Sequence, residues 1–169
     1  MHLTELIKTR RSIRKYAPGT ISDGQLSGIL ECAMYAPTAR NQQPWHFLVI
    51  MDRASLQKLS TVHPYGRMLA NAALAILVCG DKSIEENPGY LIQDCSAATQ
   101  NILLSAHAMG IGSVWLGLFP REERMDSMRS FFSLPSGIMP MTLVSLGMPA
   151  EKPPQPDRFR PERVHYDRW

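Results

Sequence analysis

Five residues near the start of the chain, Arg10-Arg11-Ser12-Ile13-Arg14, have the composition of an anion grip. Guanidinium groups present planar forks of donors that match phosphate or carboxylate oxygens, and a hydroxyl between them adds one more. If the stretch is extended, alternate side chains share a side, so Arg10, Ser12 and Arg14 converge while Ile13 anchors the opposite face. Spacing alone leaves a solvated basic turn equally open. A second unusual stretch is Ala36-Pro37-Thr38-Ala39-Arg40-Asn41-Gln42-Gln43-Pro44-Trp45, where three consecutive side-chain amides stand between two prolines. Amides offer paired donors and acceptors suited to the polar edge of a heterocycle. Its alternative is an exposed turn with Trp45 in the core.

Other chemistries find no support. The sequence has no G-x-S-x-G elbow, no H-E-x-x-H and no phosphate loop ending in G-K-[ST]. His2, His46, His63, His107 and His165 are dispersed without ligand spacing and read as surface or packed side chains. Cys32, Cys79 and Cys95 lack C-x-x-C spacing and read as reduced core thiols, so no metal site is expected. No G-x-G-x-x-G follows a strand; Gly110-Ile111-Gly112 follows a helix instead. Redox chemistry would therefore need a bound cofactor. Thirteen of the 18 cationic residues are arginine, gathered at the two ends (Arg10, Arg11, Arg14; Arg158, Arg160, Arg163, Arg168), yet the net charge is only +3. That balance favours one compact anion over nucleic acid, and only Tyr16 and Phe159 are interleaved aromatics.

These residues must be positioned by ordinary soluble elements. The longest apolar run, Ala72 to Cys79, is far short of the ~20 residues of a membrane span. The N-terminus does not read as a secretory signal. One domain over 1–169 and a cytoplasmic location are expected. Thr4 to about Thr9 predicts a short helix. Ser22-Asp23-Gly24-Gln25 matches a capping box and opens a helix to about Tyr35 that buries Leu26, Ile29, Leu30 and Ala33. His46–Ile50 predicts a strand, Asp52 caps a helix to about Thr61, a short helix lies near Met68, and Leu74–Cys79 is a buried strand. From Tyr90 to Met109, apolar residues recur at helical spacing (Leu91, Cys95, Ala98, Ile102, Ala106, Met109), and Gly110 suits the left-handed end. Ser113–Leu118 and Met141–Leu146 are strands, with Pro120 in the first turn of a helix to about Phe132. Pro149, Pro153, Pro154 and Pro156 then make an extended tail. Four strands among about five helices indicate a layered α/β or α+β domain.

The motifs R-R-S-I-R, A-P-T-A-R-N-Q-Q-P-W, Q-D-C-S-A-A-T-Q-N-I-L-L-S-A-H-A-M-G-I-G, V-W-L-G-L and G-M-P-A-E-K-P occur in the order and spacing of one family. The chain resembles the FMN-dependent nitroreductases along nearly its whole length. The resemblance implies an α+β sandwich, a mixed and mainly antiparallel sheet flanked by helices, and a C-terminal arm extending onto a partner subunit. It implies a homodimer with FMN at the subunit interface. Arg10 and Ser12 would hold the phosphate with Arg11 nearby, while Arg14 would approach the pyrimidine edge of the ring. Pro37, Thr38, Ala39 and Asn41 would reach the flavin from the other subunit. Leu116, Gly117 and Leu118 would lie beside the ring and donate to N5. Arg158 or Arg160 would add a phosphate-binding cation, and Arg67 another at the flavin edge.

The activity so implied is hydride transfer from NADH or NADPH through flavin N5 to a small-molecule acceptor such as a nitroaromatic or quinone, with ping-pong kinetics and no dedicated catalytic side chain. Same-fold flavoenzymes that dehalogenate or fragment flavin, and a non-catalytic flavin-binding module, are the alternatives. At 169 residues the chain leaves little room for lid helices. Arg40 is a candidate selector of anionic acceptors. Asp94 and Asn101, seven apart on the long helix, read as polar pairing at an interface.

Overall fold

The computed structural model describes residues 2–169. Its elements are α1 (Leu3–Thr9), β1 (Tyr16–Ala17), α2 (Asp23–Met34), β2 (Trp45–Ile50), α3 (Arg53–Val62), β3 (Leu74–Asp81), α4 (Pro88–Ala108), β4 (Gly112–Gly117), α5 (Glu122–Phe132) and β5 (Ile138–Pro149). Three short 3-10 turns lie at Ala39–Asn41, Arg67–Asn71 and Pro161–Arg163. Local chemistry explains the principal boundaries. Ser22 accepts from the Gln25 backbone N–H while the Gln25 side chain accepts from Ser22 N–H, so the capping box starts α2. Asp52 caps α3 through the Ser55 N–H at 2.8 Å. At the end of α4, Gly110 has φ +74°, its N–H donates to His107, and Ile111 N–H donates to Ala106, a Schellman closure.

The sheet runs β4-β5-β3-β2, every ladder antiparallel, with β1 added at the C-terminal end of β5. β3 and β5 are buried along nearly their whole length, as strands covered on both faces must be. α4 packs on the sheet and against α2. At Gly80 of β3 a Cβ would lie 2.6 Å from Leu91, so glycine lets the helix sit close to the strand there. One apolar cluster joins Ile76, Leu77, Leu91, Ile102, Leu118, Met125 and Leu143. No described helix is long and apolar enough to cross a membrane.

The structure corrects several expectations. There are five strands, the fifth being the two-residue β1, whose register with Met148 and Pro149 no local pattern announces. β5 is twice the expected length and carries a register shift opposite Val78 and Cys79. Pro120 precedes α5 rather than entering it; Arg121 is the N-cap. Met109 is the C-cap of α4 and is exposed, because the helix ends before its side chain can turn inward. Cys32 is exposed, while burial pushes the thiols of Cys79 and Cys95 up to about 12.

Candidate functional site

Ser12 bridges Ser113 in parallel fashion, and the Ile13 N–H donates to the Ser113 carbonyl at 2.9 Å. The arginine segment is thereby fastened beside the start of β4. The expected alternation is present: Arg11 and the buried Ile13 line a cleft of about 660 Å³ behind the segment, which Arg10, Ser12 and Arg14 do not line. Arg11 donates to the carbonyls of Pro154 (3.0 Å) and Arg10, strapping the tail to the domain. It serves as a strut, whereas the Arg10 guanidinium makes no such bond among the described residues. The Glu151 carboxylate accepts from the N–H groups of Arg14 (2.5 Å) and Lys15 (3.1 Å), fixing the course of the segment from the other side.

Arg10 is half-buried. Burial, then the charges of Arg158 and Arg11, hold its guanidinium below the ordinary arginine value. Among the described residues no carboxylate forms an ion pair with Arg10, Arg11, Arg14 or Arg158. Like charges converge here without a counter-ion, an arrangement completed by an anion. Of the two tail arginines, Arg158 is the one whose charge reaches Arg10, whereas Arg160 folds back on the Phe159 carbonyl at 3.0 Å. Arg67 stands exposed at the start of its 3-10 turn, and no ion pair or hydrogen bond among the described residues joins it to the cluster.

β4 carries the site away from these cations. It pairs only with β5 along its length, so its other edge is free beyond Ser113. Leu118 N–H bonds to Met141, whereas the Ser113 and Gly117 carbonyls find partners off the sheet. In an antiparallel ladder this alternation turns the backbone of Ser113, Trp115 and Gly117 outward. From Ser113 to Gly117 the strand advances ~13 Å at 3.3 Å per residue. A Cβ built on Gly117 meets nothing within 4 Å, so the strand end faces open space. The side chains of Leu116 and Leu118 are core residues, 4 % and 0 % exposed, which leaves only their backbone for any contact at this edge.

The amide loop has a different character. Arg40, Asn41 and Gln43 all have φ near +54°, in the left-handed region that non-glycine residues rarely enter. Three such residues in four must be held by their surroundings. Asp94, buried on α4, accepts the Ala39 N–H at 3.2 Å. Arg40 forms a 2.6 Å ion pair with Glu85, whose side chain is 2 % exposed, and lies 5.7 Å from the Tyr90 ring centroid. Thr38 Oγ1 accepts the Gln43 N–H, and the Gln43 amide donates to Asn41. Arg40 thus helps to hold the loop through Glu85 while its side chain stays largely exposed. Within the chain, Asp94 accepts the Ala39 N–H and Asn101 donates to the Cys32 carbonyl at 2.9 Å, so the two side chains are not paired with each other.

Pro37 and Asn41 are exposed, with Thr38 and Ala39 half-buried between them, and beside Asn41 runs an apolar shelf from Leu30, Met34 and Tyr35 to Leu104 and Met109. Met34 is 53 % and Tyr35 78 % exposed. Among the described residues no hydrogen bond or ion pair joins this loop to the Arg10 cluster.

Sequence reasoning missed His63 and Arg124, which both donate to the Gly117 carbonyl, and Glu85. Contacts from three separate elements leave no local signal.

Comparisons with known proteins agree with the geometry. The nitroreductase family model matches residues 7–63 and 60–148. A Methanothermobacter thermautotrophicus protein provisionally named NADH dehydrogenase/NAD(P)H nitroreductase is 47% identical over all of this chain and 88% of its own length. An FMN-dependent nitroreductase structure from Clostridium difficile superposes with TM-score 0.91 at 30% identity, covering 99% of this chain and 100% of that one. A Desulfovibrio desulfuricans structure, provisionally a nitroreductase and described in complex with FMN, gives TM-score 0.85 at 31% identity, covering 98% and 96%.

Proposed function

Because the chain belongs to the nitroreductase family, we propose that it is an FMN-dependent NAD(P)H oxidoreductase acting on nitroaromatic, quinone or similar electrophilic acceptors. The observation that carries this reading is the arginine cluster, which has no ion-paired carboxylate among the described residues, placed at one end of a strand whose other end is Gly117, where an added side chain would meet nothing. A phosphate-bearing, planar cofactor fits that arrangement. Bound FMN supplies two-electron transfer between a reduced nicotinamide and an acceptor that use one face in turn, so ping-pong kinetics are expected.

The chain's own residues then have separable tasks. Arg10, Ser12 and Arg158 bind the phosphate, each charge-assisted bond contributing about 1.5–3 kcal/mol. Arg11 holds the tail so that Arg158 can reach. Arg14, exposed and unpaired, supplies positive charge where negative charge grows on reduction. The outward Gly117 N–H offers a donor to the ring, with the Leu116 and Leu118 backbone on either side. Arg160 and Arg67 are assigned peripheral charge.

A single chain does not bring the loop of Pro37, Thr38, Ala39 and Asn41 to the cluster. The exposed shelf around Met34 and Tyr35 beside that loop supports a homodimer in which the loop covers the site of a second copy, with the C-terminal arm lying along that copy. Purified protein should carry or take up FMN and oxidise NADH or NADPH rapidly with a quinone. Failure to bind added FMN refutes the reading, and tight FMN binding without turnover would make the chain a binding module instead.

A further inference from the structure

The carbonyl of Gly117 faces the free edge of β4, where water would ordinarily satisfy it. Two donors from two other elements take it instead. His63 Nε2, just after α3, lies 3.2 Å from this oxygen, and Arg124 Nη1 on α5 lies 3.0 Å from it. His63 is only 3 % exposed, and its Nδ1 accepts the Tyr65 N–H at 3.2 Å, which places the imidazole proton on Nε2 and aims it at Gly117. Burial holds the His63 imidazole below its usual range, against the opposing hydrogen bond to Gly117 and with a smaller contribution from the Arg124 charge. Arg124 lies over the Tyr65 ring at 5.5 Å, and its Nε is buried with no hydrogen-bond partner. A cavity of about 200 Å³ between the two side chains is also lined by Glu123, yet Glu123 forms no ion pair with Arg124 among the described residues.

Partly burying a guanidinium and leaving one of its donors unmet is costly, so the arrangement needs a reason. Gly117 provides one. Its missing side chain opens the strand edge to close approach, but glycine is also the residue with most backbone freedom. The peptide that follows it is held at both ends: the carbonyl by His63 and Arg124, and the Leu118 N–H by Met141 at 3.3 Å. This double anchorage restores at Gly117 the rigidity that the glycine gives up.

We propose that His63 and Arg124 are positioning residues that preset the Gly117 backbone for the flavin ring, and that the charge of Arg124, held by this carbonyl, favours the reduced cofactor. The inference rests on the functional reading above. Holo-protein carrying Arg124→Gln should show a roughly tenfold lower reduced-to-oxidised ratio at fixed potential, about 30 mV more negative for a two-electron couple. Arg124→Lys should restore most of that ratio. In the FMN-free proteins, hydrogen exchange at Leu118 should quicken roughly tenfold or more in Arg124→Gln and in His63→Ala, because the peptide has lost its anchor. Wild-type potential in Arg124→Gln together with wild-type Leu118 exchange overturns the proposal. If Arg124→Gln does not fold, His63→Ala decides by the exchange reading, and unchanged Leu118 exchange in it overturns the proposal. Wild-type protein that takes up no FMN defeats the functional reading, a result distinct from FMN-loaded variants with unaltered potentials.

Discussion

Replacing Arg10 with alanine separates the contribution of this side chain to the fold from its contribution to a ligand. In the folded chain its charge is opposed by burial and by Arg158 and Arg11, with no carboxylate in ion-pair distance. Losing it should therefore leave the melting temperature of the FMN-free protein unchanged or slightly raised. For FMN the expectation is opposite. One charge-assisted bond contributes about 1.5–3 kcal/mol, which is roughly 10- to 150-fold in Kd. Arg10 is half-exposed and screened by solvent, so the lower part of that range is expected. Riboflavin, which lacks the phosphate, should bind both proteins within about twofold. The assay is quenching of flavin fluorescence on titration with each compound, beside calorimetric melting of the FMN-free forms. Equal losses for FMN and riboflavin would place Arg10 at the ring, and a melting temperature several degrees lower would make it a structural residue. Either result refutes the reasoning.

Gly117→Ala should fold normally and gain about 0.4–1 kcal/mol, since the Cβ meets nothing and the residue has no left-handed φ; the same variant should lose FMN affinity at least roughly tenfold by titration, and undiminished affinity would move the ring elsewhere. Asp94 tests the amide loop: burial, ahead of the opposing Ala39 hydrogen bond, raises its carboxyl, so its charged form costs stability above the unfolded carboxylate value. Asp94→Asn keeps the acceptor and should be as stable or more so at pH 7, the gain vanishing in acid where the wild-type group is protonated; Asp94→Ala should lose about 0.5–1.5 kcal/mol in urea unfolding. Glu85 carries the opposite sign, its carboxyl lowered by the Asn87 N–H and then Arg40. Its contribution is present above the unfolded glutamate value and is lost as pH falls through the lower folded one. Glu85→Gln should therefore destabilise at neutral pH and match wild type in strong acid. Tyr35→Glu should halve the mass measured by light scattering and lower FMN affinity with it; loss of one without the other would separate the shelf from the site.

Legibility in the sequence followed the range of the interactions. α2 was readable because Ser22 and Gln25 cap each other across three residues, and the end of α4 because Gly110 and Ile111 close on the same turn. β1 and the C-terminal end of β5 were not, because their pairing joins residues more than 130 apart and no local alternation marks it. The Arg10 cluster was half legible. The N-terminal arginines stood in sequence as a motif, but that Arg158 rather than Arg160 approaches them depends on the path of a proline-rich tail that Arg11 ties down. Resemblance supplied Gly117, yet nothing near it in the chain pointed to His63 or Arg124. An isolated histidine reads as packed, and this one is packed. Its role lies in what its second nitrogen meets.

The helices and inner strands obey local rules, with propensity, capping and burial all agreeing. Departures concentrate in three places: the uncompensated arginines, three left-handed residues between Arg40 and Gln43, and a histidine and arginine donating to one carbonyl. Each is unfavourable for a chain that only has to fold, and each becomes intelligible at a binding site. Cations without a partner await an anion, a strained loop keeps a fixed lip, and a clamped glycine presents backbone without a side chain. Local conflict of this kind is expected where function has overridden stability. Two of the three lie at opposite ends of the β4 edge, one suited to a phosphate and the other to a flat ring. The third has no counterpart within reach on its own chain. The loop's left-handed residues are held within the chain by Asp94, Thr38 and the Arg40–Glu85 pair, and the distance of its lip from the Arg10 cluster is what supports the proposed sharing of the site between two copies.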